Sequence, residues 1–321
     1  GIAARVVFDN DRVPPQRELY FRGPVLAQFD GREWTALPPW QLARVPTDLQ
    51  VRGEPVRYQV TLEPSQRSWL ITLDVAPNAP ELPGMGAPRL TPDLQWIAER
   101  PTRDLLRYRA ESYPQFRSGP QIRGPGMAIY TLLPQGYDPR TVELAQQLRA
   151  DPRTAQGSNA RELVRLALER LRTGGYSYTL EPGEYGQHTA DEFWFDRKAG
   201  FCEHIASAFV VLMRAAGVPS RIVTGFQGGE RNSVDGVWTL RNSDAHAWAE
   251  VWIAGEGWVR VDPTGAISPE RIGAFLRLGA PQGVLAGAIG AVNPTLLQNV
   301  RAAWEAVNNG WNQWVLNYTQ G

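Results

Sequence analysis

The stretch GFCEHIASAFVVLMRAAGVPSRIVTGF, residues 200–226, decides how the chain folds. Its pattern predicts a helix that starts near Gly200 and ends at Gly217, with Pro219 just beyond the end. Apolar side chains from Ile205 to Met213 surround most of this helix, which is typical of a helix buried in a core. Strand-like runs follow the helix and indicate an α+β arrangement. They lie at 221–225, 237–240, 246–253 and 258–262.

The residues before this helix indicate a β part followed by two further helices. Alternating runs at 58–62, 69–75 and 106–110 predict an antiparallel β-sandwich-like domain. The segment 118–126, rich in glycine and proline, is predicted to be a linker. Helices are predicted from Asp138 to Ala150 and from Asn159 to Arg172. The expected division is an N-terminal β domain (1–125), a core (126–275) and a C-terminal linker and helix (276–321).

Composition excludes several classes of function. The chain has 321 residues with 33 basic and 33 acidic side chains, and it lacks the basic stripe of a nucleic-acid binder. A single cysteine excludes an internal disulfide and a multi-cysteine metal site. No apolar run is long enough to span a membrane. Because Gly1 stands where a full-length chain has methionine, and no signal peptide follows, we expect an excised or processed segment.

The single cysteine, Cys202, lies in the first turn of the predicted buried helix. A helix N-terminus favours a thiolate, because the partial positive charge of the helix lowers a thiol pKa there. The free amides of the same turn are placed to hold a developing oxyanion. Cys202 is therefore a candidate nucleophile. The alternative is a buried structural cysteine, since free cysteine packs as a small hydrophobe.

A cysteine nucleophile needs a base, and the chain has three histidines. His204 lies about 200° round the helix axis from Cys202, so the two side chains diverge and a packing role is favoured for His204. His188 lies in a loop rich in glycine and glutamate, with no carboxylate at a suitable spacing. His246 begins a predicted strand, on the same face as Trp248, and is the preferred base.

Asp262 is the predicted partner of His246. A hairpin centred near Ala254 places the two residues opposite each other on one face. A simple four-residue loop offsets them, unless a glycine bulge restores the pairing. Asp244 is the alternative partner, but it lies only two residues before His246 and aims poorly at the ring. A metal site is disfavoured because its ligands diverge, and no calcium-loop motif occurs, so no metal or cofactor is expected. Such a site would consist of Cys202, His204, His246 and Asp262.

Several blocks of the sequence resemble the transglutaminase-like superfamily. These are the opening stretch 200–226 and SDAHAWAEVWIAGEGWVRVDPT at 243–264, with DEFWF at 191–195 and LYFRGPVLAQFDGREW at 19–34 upstream. The sequence Cys-Glu-His at residues 202–204 is most similar to that of the bacterial membrane-anchored TgpA type. The resemblance implies a papain-like α+β core with Cys202 as nucleophile, His246 as base and Asp262 as orienting acid.

The resemblance also implies a second oxyanion donor besides the cysteine amide, and the residues leave its identity open. Candidates for this role or for the substrate channel are Trp194, Tyr176, Tyr178 and Gln187. Trp248 and Trp252 are candidates for the walls of an apolar acyl channel, and core packing explains them equally well.

The implied activity is that of a protein-glutamine gamma-glutamyltransferase, acting through a thioester. Its partners would be a protein or peptide glutamine donor and an amine acceptor, and a cell-wall peptide is an alternative substrate. The same triad serves a deamidase, a cysteine protease or a peptide amidase, and the remaining alternative is a non-catalytic binding module. The implied location is the periplasmic domain of a bacterial inner-membrane protein, with residues 276–321 leading towards an anchor that this chain lacks.

Overall fold

Two five-stranded antiparallel sheets and a buried helix organise the residues that the computed structural model describes, 1–154 and 159–269. The prediction of an α+β fold is confirmed. The segment predicted at 276–321 lies outside the described residues. In the described ranges, no helix has the length and apolar character that crossing a lipid bilayer requires.

The helices and strands are labelled in chain order. The helices are α1 (Pro39–Leu42), α2 (Pro139–Ala150), α3 (Ala160–Thr173), α4 (Thr189–Asp191), α5 (Cys202–Ala215) and α6 (Thr264–Ile267). The first strands are β1 (Ile2–Phe8), β2 (Tyr20–Leu26), β3 (Gln28–Phe29), β4 (Trp34–Thr35), β5 (Gln50–Arg52), β6 (Val56–Leu62), β7 (Trp69–Leu70), β8 (Thr72–Leu73), β9 (Arg89–Leu90), β10 (Trp96–Ile97), β11 (Leu106–Ser112) and β12 (Gln115–Arg117). The remaining strands are β13 (Ser177–Tyr178), β14 (Ala199–Gly200), β15 (Ser220–Gln227), β16 (Glu230–Arg231), β17 (Trp238–Arg241), β18 (Ala245–Ile253) and β19 (Gly257–Val261).

Each large sheet combines strands from residues 2–112 with strands from residues 220–261. The N-terminal sheet has the strand order β11-β6-β1-β17-β16, and the central sheet has the order β19-β18-β15-β2-β8. Backbone pairing therefore crosses the predicted domain boundary between residues 125 and 126 twice, through β1 with β17 and β2 with β15. The division into domains at residue 125 therefore stays a prediction. Strands from both sides of this boundary belong to the same sheets.

The predicted linker is fastened to the hairpin of β18 and β19. The Trp258 amide donates to the Ser118 carbonyl, and the Gly255 amide donates to the Gln121 carbonyl, each at 2.8 Å. The Trp252 indole donates to the carbonyl of Pro120 at 2.6 Å. Buried donors of this kind need partners, and the segment supplies them. It acts as a strap across the hairpin as well as a connection.

Helix α5 is buried because nearly every side of it is apolar. Its residues share one core with Ile222 of β15 and with Ala247, Ala249 and Val251 of β18. The small alanines of β18 let the helix approach the central sheet closely. The opposite face of the sheet carries Trp248 and Val223, together with Tyr20 and Val25 of β2. The helix is thus packed against one face of the central sheet, and this packing fixes its position relative to the sheet.

Strand β2 lies inside the central sheet although it contains Gly23 and Pro24, which are typical of turns. These two residues oppose the single residue Thr224, so β2 carries a β-bulge there. The Thr224 hydroxyl donates to the Pro24 carbonyl at 2.7 Å. Because of the bulge, Tyr20 lies on the same face of the sheet as Val25. In a regular strand the two side chains would lie on opposite faces.

A buried network of charges joins three strands of the central sheet. Arg22 of β2 makes two hydrogen bonds of 2.9 Å with the Glu250 carboxylate of β18. Arg221 of β15 donates to the same carboxylate at 2.9 Å. Arg22 also pairs with Asp74 at 3.2 Å and donates to the Asp93 carbonyl. The side chains of Arg22, Arg221 and Glu250 are at most 4% exposed, so each charge depends on its partners.

Candidate active site

The candidate nucleophile lies where sequence reasoning placed it. Cys202 is the first residue of α5 and is 4% exposed. The amides of the first helical turn have no partner within the helix, because an α-helix leaves its first four N–H groups unpaired. The thiol consequently lies beside the positive end of a 14-residue helix.

Strand β18 and the residue after β19 bring His246 and Asp262 together. The register pairs Trp252 with Trp258 and Ala249 with Val261, so the hairpin loop holds three residues. The loop is one residue shorter than the four-residue alternative, and the pair is offset by two positions rather than directly opposite. An even offset keeps both side chains on one face, as diagonal neighbours. The His246 Nε2 lies 2.7 Å from the Asp262 Oδ2.

The electrostatics of His246 favour its charged form. Burial lowers the pKa of His246, but the Asp262 charge and hydrogen bonds with Asp262 and Cys202 raise it to about 10. The ring is therefore an imidazolium at neutral pH. Because Nε2 faces Asp262, Nδ1 is the ring nitrogen that remains for the thiol. An imidazolium next to a thiol stabilises the thiolate.

Tyr20 is a further member of this group that sequence reasoning missed. Its hydroxyl donates to the Asp262 Oδ2 at 2.6 Å, across 242 residues of sequence. The ring is 4% exposed and packs edge-on against Trp248 with 4.9 Å between the ring centroids. Tyr20 begins a strand that the sequence pattern did not predict, although it lies within the block 19–34 that carries the family resemblance. The other predicted partner, Asp244, accepts instead from the Arg241 amide at 2.8 Å.

The structure separates the candidates for the second oxyanion donor. The indole of Trp194 is fully buried and donates to the Ala208 carbonyl at 3.0 Å, which leaves it no donor for a substrate. Tyr176 is likewise engaged, because its hydroxyl donates to the Trp194 carbonyl at 2.6 Å. Tyr178 lies in β13, which pairs with the strand just before Cys202, and Gln187 is exposed. Tyr178 stays a prediction for this role.

Trp248 and Trp252 are both buried, as the packing alternative expects. The Trp248 ring lies nearly parallel to His246, with 6.1 Å between the centroids and 25° between the planes. Its Nε1 has no hydrogen-bond partner among residues 1–154 and 159–269. Trp252 packs with the strap and the first helix region rather than near Cys202. The structure therefore places Trp248, and not Trp252, at the site.

The other two histidines have structural partners. His204 stacks on Tyr185 at 4.6 Å and accepts a hydrogen bond from the Phe201 amide, which caps α5. Burial and the nearby Arg197 charge lower the pKa of His204 to about 4, so it is neutral. It diverges from Cys202 as predicted. His188 accepts from the Asp138 amide at 3.1 Å, in a cluster away from the nucleophile.

In that cluster, Asp138, His188 and Asp191 each place one possible metal-ligand atom within 4.8 Å of the other two. Hydrogen bonds engage three of its four carboxylate oxygens, and the buried Asp138 Oδ2 has no hydrogen-bond partner among the described residues. Asp138 accepts from the amides of Ala190 and Asp191, and Asp191 accepts from the amides of Arg140 and Thr141. Each aspartate thus caps the helix of the other. The alternative ligand set of Cys202, His204, His246 and Asp262, which the sequence disfavours, is not brought together, because His204 diverges from Cys202 around α5.

A cavity of about 790 Å³ runs along one side of α5. Glu203, His204, Ser207 and Ala208 line it, with Trp34 of β4 on the facing wall. These helix positions lie roughly opposite Cys202 around the axis, so the cavity does not include the nucleophile. Glu203 is half-buried there, and burial raises its pKa to about 7.

Replacing Glu203 with glutamine should stabilise the protein at alkaline pH. Its folded-state pKa lies above the ordinary value of 4.5, so ionising it costs stability as pH rises from about 4.5 to about 7. We expect Glu203→Gln to raise the free energy of unfolding by roughly 2–3 kcal/mol at pH 8.5, and by less than 1 kcal/mol at pH 5. Urea unfolding at both pH values measures this, and Glu143→Gln, an exposed glutamate of α2, is the control. An equal effect at both pH values would contradict the assignment.

Comparison with known proteins finds similarity over most of the chain. Residues 143–263 match the family described as transglutaminase-like superfamily, and residues 1–119 match the TgpA N-terminal domain. The crystal structure of the periplasmic domain of TgpA from Pseudomonas aeruginosa superposes with a TM-score of 0.76 at 34% identity, covering 86% of this chain and 92% of that one. The chain belongs to the transglutaminase-like superfamily, and a sheet-rich N-terminal part precedes its core.

Two curated relatives extend the comparison. A protein named protein-glutamine gamma-glutamyltransferase from Pseudomonas aeruginosa is 36% identical over 99% of this chain. The chain spans about half of that relative, 47% of its length. The protein YebA of Bacillus subtilis, which carries no assigned function, is 32% identical over 42% of this chain and 19% of its own length.

Proposed function

We propose that this chain is a cysteine-dependent acyltransferase of the protein-glutamine gamma-glutamyltransferase type. One observation carries the proposal, the relay in which Asp262 contacts His246 and His246 contacts Cys202 at the start of a buried helix. A nucleophile, a base and an orienting acid in hydrogen-bonding sequence are what acyl transfer through a thioester requires. The similar Pseudomonas protein carries the name of this activity.

The chemistry follows from the charges of the three groups. The Cys202 thiolate attacks the carboxamide carbon of a glutamine side chain, and the amides of the first turn of α5 hold the oxyanion. His246 gives its proton to the departing ammonia, which leaves a thioester on Cys202. A primary amine then attacks the thioester, His246 takes the amine proton, and an isopeptide bond forms as the thiolate leaves. Asp262 keeps the ring oriented throughout.

The proposed partners are a protein or peptide that donates glutamine and an amine that accepts the acyl group. A cell-wall peptide is the alternative substrate, and water as acceptor gives a deamidase or an amide hydrolase. The proposed location is the bacterial periplasm, as part of an inner-membrane protein, by analogy with the periplasmic domain of TgpA. A purely binding role is disfavoured, because it leaves the charged relay without a use.

The test is incorporation of dansylcadaverine into dimethylcasein, a glutamine-rich protein, with ammonia release measured in the same reaction. The proposal expects both signals in a molar ratio near one, and their loss after iodoacetamide treatment. Ammonia without incorporated amine would assign the hydrolytic reaction instead. Absence of both signals, with the thiol unmodified and the protein folded, would contradict the enzymatic role. Omitting dimethylcasein provides the background.

A further inference from the structure

The Asp262 carboxylate is held by very few contacts. Its Oδ2 accepts from the Tyr20 hydroxyl at 2.6 Å and contacts the His246 Nε2 at 2.7 Å. Its Oδ1 is buried and has no hydrogen-bond partner within the part of the chain that the structure describes. The orientation of the carboxylate relative to the imidazole therefore depends on the tyrosine.

Tyr20 is itself fixed from three sides. The strand β2 that carries it pairs with β15 through Gln227, and its ring packs edge-on against Trp248. The Arg260 guanidinium lies over the ring at 4.1 Å from the centroid. Burial, followed by the Asp262 charge, raises the pKa of Tyr20 far above its usual range. The phenol thus keeps its proton and can only donate to a carboxylate.

We propose that Tyr20 is a positioning residue of the active site, whose hydroxyl holds Asp262 against the His246 ring. This inference rests on the proposed function. It assigns to the N-terminal part of the chain a direct contact with the catalytic relay, although that part matches a separate family. The donated hydrogen bond also withdraws charge from Asp262, which limits how strongly the carboxylate retains the imidazolium proton.

The variant Tyr20→Phe tests the inference, because it removes the hydroxyl and keeps the ring packing. We expect kcat for ammonia release from a glutaminyl peptide to fall about ten-fold, with KM unchanged. The alkaline limb of the pH–rate profile, expected near pH 10 in the wild type, should move up by roughly 0.5–1 unit. Without the Tyr20 hydroxyl, the Asp262 carboxylate attracts the His246 proton more strongly. The pKa of His246 therefore rises, and the alkaline limb moves to higher pH.

Tyr108→Phe is the matched control, since the Tyr108 hydroxyl is also buried and donates to the Ile71 carbonyl at 2.6 Å, remote from the relay. It should lower stability without moving the alkaline limb. If Tyr20→Phe leaves the limb in place or moves it down, while the wild type is active, Tyr20 is merely structural and the inference is overturned. If the wild type shows no thiol-dependent ammonia release, the proposed function itself has failed, which is a different result.

Discussion

Replacing Cys202 with alanine is expected to abolish acyl transfer, lowering kcat/KM by at least about 10⁴-fold. The reason is chemical, because no thioester forms without the thiolate and the histidine has no other nucleophile to serve. Amine incorporation and ammonia release should fall together. Because Cys202 is the single cysteine of the chain, iodoacetamide labelling followed by mass spectrometry reports on this thiol alone.

The same labelling separates the nucleophile from its base. In the wild type, alkylation should be fast well below the pH at which an ordinary thiol ionises, about 8.5. In His246→Ala the imidazolium is gone, and fast labelling at low pH should disappear while the thiol remains. Cys202→Ser should be as inactive as the alanine variant, since a hydroxyl lacks the acidity of a thiol. Activity retained in either Cys202 variant would remove this residue from the mechanism.

The second large effect concerns stability. Glu250→Ala is expected to lower the free energy of unfolding by about 3–5 kcal/mol, because it leaves the buried cations Arg22 and Arg221 without their shared carboxylate. Urea unfolding at pH 7 measures the loss. The matched control is Glu63→Ala, which breaks the pair with Arg5 at 3.2 Å where both side chains are 36% or more exposed. That change should cost less than about 1 kcal/mol.

The Glu250 carboxylate also makes the stability of the fold depend on pH, with a loss of stability in acid. Burial alone would raise the pKa of Glu250, but the two arginines hold it well below the ordinary value of 4.5. A depressed folded-state pKa contributes stability above the unfolded-state value, and this stability is lost as the pH falls further. The wild type should therefore weaken more steeply than Glu250→Ala below about pH 4.5. A constant difference down to pH 3 would contradict the buried ion pairs.

The parts of the fold that were predictable are those with a strong local pattern. Helix α5 was visible because its apolar residues are contiguous and Gly217 ends it, and β18 was visible from its alternation. Within the site, Cys202 lies on α5 and His246 on β18, and Asp262 directly follows β19. The sequence left the hairpin register open, since glycine turns permit several loop lengths, and the structure shows a three-residue loop.

Strand β2 could not be predicted for a physical reason. Gly23 and Pro24 are adjacent, a pair that normally indicates a turn, and only the pairing with β15 makes them a bulge within a sheet. Tyr20 and Arg22 share that strand and contact residues more than 220 positions away. Neither contact leaves a pattern in the surrounding sequence, so the support for Asp262 and the buried charges became visible only in three dimensions.

The central sheet pairs strands that lie far apart in the sequence, and this affects how the chain folds during synthesis. Strand β2 sits between β8 and β15, and its Pro24 meets Thr224 200 residues later. At about 5–20 residues per second of synthesis, β2 waits roughly 10–40 s for its partner. During that interval its ladder groups are open to pairing with another chain. The relay can assemble only after β18 and β19 have been synthesised, because these two strands position His246 and Asp262 beside the nucleophile.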